Sequence, residues 1–115
     1  MAARVLIVED EAIVAITAED MLEELGHAVA GVAGSLAEAL ALVERGGFDL
    51  ALLDINLNGT QSLPVAQALR ARGLRFVFAT GYGAAGRSEE FADVPIVTKP
   101  YRLRDLDDAI AQALL

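Results

Sequence analysis

The sequence predicts an α/β domain built on a doubly wound, five-stranded parallel sheet. Two observations carry that prediction. Apolar runs of strand length alternate with segments of helical period, and the runs are continuous in Val, Leu, Ile and Phe rather than interleaved with polar residues. Continuous runs mark strands buried on both faces, and regular β-α-β-α spacing implies right-handed crossovers. A chain of 115 residues with 55% hydrophobic content suits one domain, residues 1–115, large enough to fold without disulfides.

The first strand is "RVLIV" (4–8). In the helix after it, Val14, Ala18, Met21, Leu22 and Leu25 recur on one face, and Gly26 is placed to end it at C′. "AVAGV" (28–32) is the second strand. Ser35 and Glu38 then form a capping box for a helix whose stripe is Leu36, Ala39, Leu40 and Val43. "FDLALL" (48–53) precedes a helix that starts near Pro64, a residue suited to a first turn, and stops at Gly73. "RFVFA" (75–79) and "PIVT" (95–98) complete the sheet, and a last helix from about Arg102 carries Leu103, Leu106, Ile110 and Leu114 on one side. Residues 81–94, "GYGAAGRSEEFADV", hold three glycines, each costing about 0.5–1 kcal/mol against alanine in a helix. Only a short turn near Ser88 to Ala92 is expected there.

Charge and composition exclude several functions. The net charge of −8 and scattered arginines argue against binding nucleic acid through phosphates and favour a positively charged or metal-assisted partner. Without cysteine there is no disulfide, Cys-based zinc site or thiol nucleophile. The N-terminal apolar run meets "EDE" after Val8, too short for a signal peptide or a membrane span, so a soluble cytoplasmic protein is expected. Of nine basic side chains only Lys99 is a lysine, and it stands beside a proline.

In open parallel sheets the functional crevice lies at the carboxyl ends of the strands. There the first strand runs into Glu9-Asp10, the third into Asp54, the fourth into Thr80 and the fifth into Lys99. Clustered carboxylates repel one another unless a cation neutralises them. Mg²⁺ suits such a site, because it favours one or two carboxylates together with a phosphate. An aspartate held there can attack phosphorus, with the metal, a lysine and a hydroxyl sharing the phosphoryl oxygens. Ordinary roles compete for each residue taken singly. Glu9-Asp10-Glu11 can cap a helix, Asp54 can be a turn residue, Lys99 a solvated lysine and Thr80 a plain strand end. Their coincidence at four strand ends favours the site.

"VLIVEDE", "DLALLDINLNG", "FATGYG" and "VTKPY", in this order, resemble the receiver domain of two-component response regulators over the whole chain. The resemblance implies a flavodoxin-like (βα)5 sheet of strand order 2-1-3-4-5. It implies that Asp54 is the phosphoacceptor and that Mg²⁺ is bound by Asp10, Asp54 and the backbone carbonyl of Asn56, with Glu9 acting through water. Thr80 becomes the switch hydroxyl and Lys99 the phosphate-binding lysine, its bond to Pro100 cis. The implied function is to accept a phosphoryl group from a histidine kinase or phosphotransfer protein, to switch the face of helix four, strand five and helix five, and to dephosphorylate slowly. No turnover of an external substrate is implied.

Two features depart from the usual receiver pattern. Ile96 stands where a Tyr or Phe is usual, and the segment between Thr80 and Lys99 is short and glycine-rich. Both, with the string "FATGYG", resemble the FAT GUY group of receivers, commonly stand-alone proteins paired with kinases of the HWE or related type. That likeness implies that Gly81, Tyr82 and Gly83 open a mobile segment, and that phosphorylation orders residues 81–94 instead of rotating an aromatic. Asn56 and Tyr82 would flank the path of attacking water. With the chain ending at its fifth helix, output is expected from protein contacts, from competition for phosphoryl groups or from a further domain.

Elsewhere, His27 reads as a surface residue and Tyr101 as either exposed or packed on the last helix. Ile13 and Ile16 read as either a kinase-docking patch or a buried contact. Two other functions compete. A phosphorylation-independent adaptor would not need the intact set of Asp10, Asp54, Thr80 and Lys99. A phosphatase of the haloacid dehalogenase type would need a D-x-D nucleophile after the first strand, which here ends in "EDE".

Overall fold

The structure, a computed structural model, describes residues 2–81 and 88–115. In chain order the first half holds β1 (Arg4–Val8), α1 (Ala12–Glu24), β2 (Ala28–Ala33), α2 (Leu36–Arg45) and β3 (Leu50–Asp54). The second half holds β4 (Asn56–Leu57), β5 (Thr60–Gln61), α3 (Leu63–Ala71), β6 (Arg75–Thr80), a 3₁₀ turn (Glu89–Phe91), β7 (Ile96–Thr98) and α4 (Leu103–Ala113). Five strands form one sheet in the order β2-β1-β3-β6-β7, every pair parallel. Counted along the main sheet this is the order 2-1-3-4-5. The switch in direction falls between β1 and β3, where a crevice opens.

The helices end where the local chemistry stops them. Gly26 after α1 and Gly73 after α3 have φ of 90° and 69°, the left-handed conformation that closes a helix at low cost only in glycine. At α2 the Ser35 side chain accepts the Glu38 N–H at 3.2 Å. The Glu38 carboxylate reaches back to the N–H of Gly34 and to the Ser35 hydroxyl, so the box closes one residue earlier than its usual form.

Two apolar layers cover the sheet. Val5, Ile7, Leu52 and Val77 face Ala18 and Leu22 of α1 and Leu106 and Ile110 of α4. Leu6, Leu53, Phe76 and Phe78 face Val43 of α2 and Leu69 of α3. β1, β3 and β6 are buried on both faces, as their continuous apolar runs predict. β2 is not. It lies at the sheet edge, and only its Ala33 is fully buried.

Three further residues take definite places. His27 is buried rather than on the surface, and its Nδ1 accepts the Ala3 N–H at 3.0 Å, so the imidazole closes the backbone where β1 begins. Tyr101 packs in the layer of α1 and α4. Ile13 and Ile16 stand out from α1, 80% and 55% exposed, so burial against a neighbouring strand does not occur.

Between the described parts of the 81–94 segment, residues 82–87 include Tyr82 and Gly83, so the roles expected of these two lie outside the described residues. Beyond them the expected short turn is present at Glu89–Phe91. Phe91 is fully buried, edge-on to Phe76 and Phe78 with ring centroids 5.9 and 5.8 Å away. Arg70 of α3 lies over the Phe91 ring at 4.9 Å, donates to the Glu90 carbonyl at 3.1 Å and pairs with the Asp93 carboxylate at 3.1 Å. The turn is thus held by burial first and by one arginine second.

Phe91→Ala is expected to cost about 3–5 kcal/mol, read as a lower urea midpoint at unchanged slope. A loss below about 1 kcal/mol would show that this turn does not pack on the sheet.

Candidate functional site

The sheet brings four strand ends to one place. β1 runs into Glu9 and Asp10, β3 ends at Asp54, β6 ends at Thr80, and Lys99 follows β7 directly. Among the described residues, Glu9, Asp10 and Asp54 each offer a carboxylate oxygen, and these oxygens all lie within 4.8 Å of one another. Glu9 and Asp54 are buried and Asp10 is partly exposed.

Each carboxylate has a defined set of donors. Lys99 Nζ donates to Asp54 Oδ2 at 2.9 Å and to Glu9 Oε1 at 3.1 Å. Glu9 Oε2 accepts the Glu11 N–H at 3.1 Å, and Asp54 Oδ1 accepts the Asn56 N–H at 3.2 Å. Asp10 Oδ2 accepts the Asn58 N–H at 3.2 Å. Hydrogen bonds to an ionised group are the strong ones, roughly 1.5–3 kcal/mol.

The electrostatics follow from burial. Loss of water pushes the Glu9 carboxyl up to about 7, against the N–H of Glu11 that lowers it; the Asp54 charge adds to the rise and Lys99 opposes it. Burial would lower the Lys99 ammonium, yet its hydrogen bonds and charge pairing with Asp54, then Glu9, carry it above the ordinary lysine value. Tyr101 is pushed well up by burial and, secondarily, by the charges of Glu9 and Asp54.

Main-chain bonds lock the strand ends together. The Lys99 N–H donates to the Thr80 carbonyl at 2.8 Å, and the Ile55 N–H to the Ala79 carbonyl at 3.1 Å. Asp10, Asp54, Asn56, Thr80, Gly81 and Lys99 line one open cavity of about 400 Å³. Ile96 and Pro100 do not line it. Ile96 sits opposite Phe78 in the sheet and packs against the layer that holds Phe91. The Lys99–Pro100 bond is cis.

Two residues at the site have no place in the sequence reading. Asn58 heads a tight turn with Gly59, φ 52° and 81°, between β4 and β5. Asn-Gly between extended residues is the strongest short-range hairpin signal and could have revealed it. Ser62, ahead of α3, looks like an ordinary N-cap. Its side chain makes no cap bond and instead donates to the Asp54 carbonyl at 2.6 Å.

The donor set suits a hard divalent cation. It offers anionic oxygens at close quarters, and a positive charge already lies between two of them in Lys99.

A parallel sheet of this strand order, with an acidic pair, a buried aspartate, a hydroxyl and a lysine gathered at one end, is the architecture of a receiver domain. The chain belongs to the response regulator receiver domain family, whose model matches residues 5–111. It is similar to SdrG from Sphingomonas melonis Fr1, with 43% identity over 99% of this chain and 98% of that one, TM-score 0.89. The BeF3-activated conformation of SdrG, from Pseudomonas melonis Fr1, is similar with a TM-score of 0.85 at 43% identity, over 97% of this chain and 96% of that one. The phyllosphere-induced regulator PhyR of Methylorubrum extorquens is 33% identical over 99% of this chain and 44% of its own length. The chain spans between 18% and 56% of the length of the curated relatives it matches. No described helix is long and apolar enough to cross a membrane.

Because the folded state holds the Glu9 proton to about pH 7 while an unfolded glutamate releases it near pH 4.5, this group favours the fold at low pH and the advantage is lost as pH rises through that window. In metal-free protein the thermal midpoint is expected to fall between about pH 5 and 8, and less steeply in Glu9→Gln. Parallel profiles for the two proteins would show that Glu9 ionises normally.

Proposed function

We propose that this receiver domain accepts a phosphoryl group on Asp54 from the phosphohistidine of a histidine kinase or phosphotransfer protein. The observation that carries the reading is the state of the Asp54 carboxylate. It is buried, held at one oxygen by a backbone N–H and at the other by Lys99, within 4.8 Å of two more carboxylates. An Asp54 oxygen attacks phosphorus, the P–N bond to histidine breaks and a P–O bond forms. Lys99, already at Asp54, offsets the negative charge of the arriving group, and the Thr80 hydroxyl donates to a phosphoryl oxygen.

Mg²⁺, held by Asp10, Asp54 and the Asn56 carbonyl with Glu9 through water, would supply the remaining positive charge. Slow hydrolysis returns the domain to its resting state, and no external substrate is turned over. The β7 and α4 face, with the turn before it, relays the change to a protein partner. Ile13 and Ile16, both exposed, form the apolar contact for the kinase, and the "FATGYG" string supports a kinase of the HWE or related type. A relative solved in a BeF3-activated conformation supports this reading.

Intact-protein mass spectrometry after incubation with a small phosphodonor and Mg²⁺ is expected to show one added phosphoryl group in the wild type and none in Asp54→Asn. Equal labelling of both proteins would remove Asp54 from the role. No labelling, with Mg²⁺ shown to bind, would favour a phosphorylation-independent adaptor.

A further inference from the structure

Residues 54–62 form an arm between the two aspartates. At its base the Ser62 hydroxyl, on a residue 1% exposed, donates to the Asp54 carbonyl at 2.6 Å, and the Ser62 N–H donates to the Ile55 carbonyl at 2.8 Å. Ile55 and Leu57 are 7% and 2% exposed, so one side of the arm is embedded in the core. β4 and β5 then pair Asn56 with Gln61 and Leu57 with Thr60, and Asn58-Gly59 turn the chain.

In a two-residue hairpin the flanking pair directs its polar groups at each other. Successive N–H groups on an extended strand point to opposite sides, so if Leu57 faces Thr60, Asn56 and Asn58 face away from the partner strand. Those two N–H groups are the ones that meet carboxylates: Asn56 donates to Asp54 and Asn58 to Asp10, each at 3.2 Å. Both carboxylates are therefore gripped by the same edge of one hairpin, by its first strand and by its turn.

We propose that this arm is a spacer that fixes the separation of Asp10 and Asp54 for a divalent cation, with Ser62 and the Asn58-Gly59 turn as positioning elements. The proposal rests on the metal reading above. Ser62 anchors the arm to the main chain of Asp54, and the turn delivers the Asn58 N–H to Asp10. Gly59, at φ 81°, is what the turn demands, since a side chain there is strained even though a Cβ would meet no atom within 4 Å.

Mg²⁺ titration followed by amide chemical shifts tests this on the folded, unphosphorylated protein. Ser62→Ala is expected to weaken Mg²⁺ binding about 10-fold or more, the usual effect of removing a residue that orients a metal ligand, and Ser62→Thr to restore most of it. One glycine inserted between Asn58 and Gly59, which leaves Ser62 in place, is expected to weaken binding similarly. Wild-type affinity in both Ser62→Ala and the insertion variant, whatever their thermal midpoints, would overturn the spacer. No Mg²⁺ binding by the wild type, or binding unaffected by Asp10→Asn, would instead overturn the metal reading and the spacer with it.

Discussion

The ammonium of Lys99 is the interaction on which the rest of the site depends. Glu9 and Asp54 are almost out of reach of water, and two such carboxylates repel strongly where the dielectric is low. Lys99 lies against both. Its own strand is two places away from β3, a distance of about 10 Å at ordinary strand spacing, so its side chain has to pass over the end of β6. β6 closes on Ala79, buried in the layer of α1 and α4, and on Thr80, whose carbonyl accepts the Lys99 N–H at 2.8 Å.

The same arrangement ties chemistry to fold. The strand order that makes β1 and β3 neighbours brings the acidic pair beside Asp54, and the main-chain bond from Lys99 to Thr80 holds β6 and β7 in step at their ends. The lysine that bonds the Asp54 carboxylate is thus tied through its own backbone to the strand end that carries the Thr80 hydroxyl. Ile96 is consistent with this economy. Where an aromatic is usual the chain has an aliphatic residue, and Phe78 beside it already shares a three-ring cluster with Phe76 and Phe91.

Much of this was legible in the residues, and the exceptions have physical causes. β1, β3 and β6 announced themselves because both of their faces are buried, so their apolar runs are unbroken. β2 has the same kind of run, but a sheet edge is set by strand order, which no local pattern encodes. Asp10, Asp54, Thr80 and Lys99 could be collected because strand ends in a parallel sheet share one side. Ser62 could not, since its bond to the Asp54 carbonyl depends on how the intervening hairpin folds back. His27 was misread for a similar reason. Following a helix-ending glycine suggests exposure, whereas its ring is buried against the start of β1.

The two layers also differ in their chromophores. All four phenylalanines, Phe48, Phe76, Phe78 and Phe91, lie on the side of α2 and α3, whereas Tyr101 lies on the side of α1 and α4, and the chain has no tryptophan. Near-ultraviolet dichroism therefore carries two separable labels. The phenylalanine fine structure reports the packing of one layer alone, and with Tyr82 replaced by leucine the tyrosine band comes from Tyr101 and reports the other, so one optical spectrum can tell which side of the sheet loosens first.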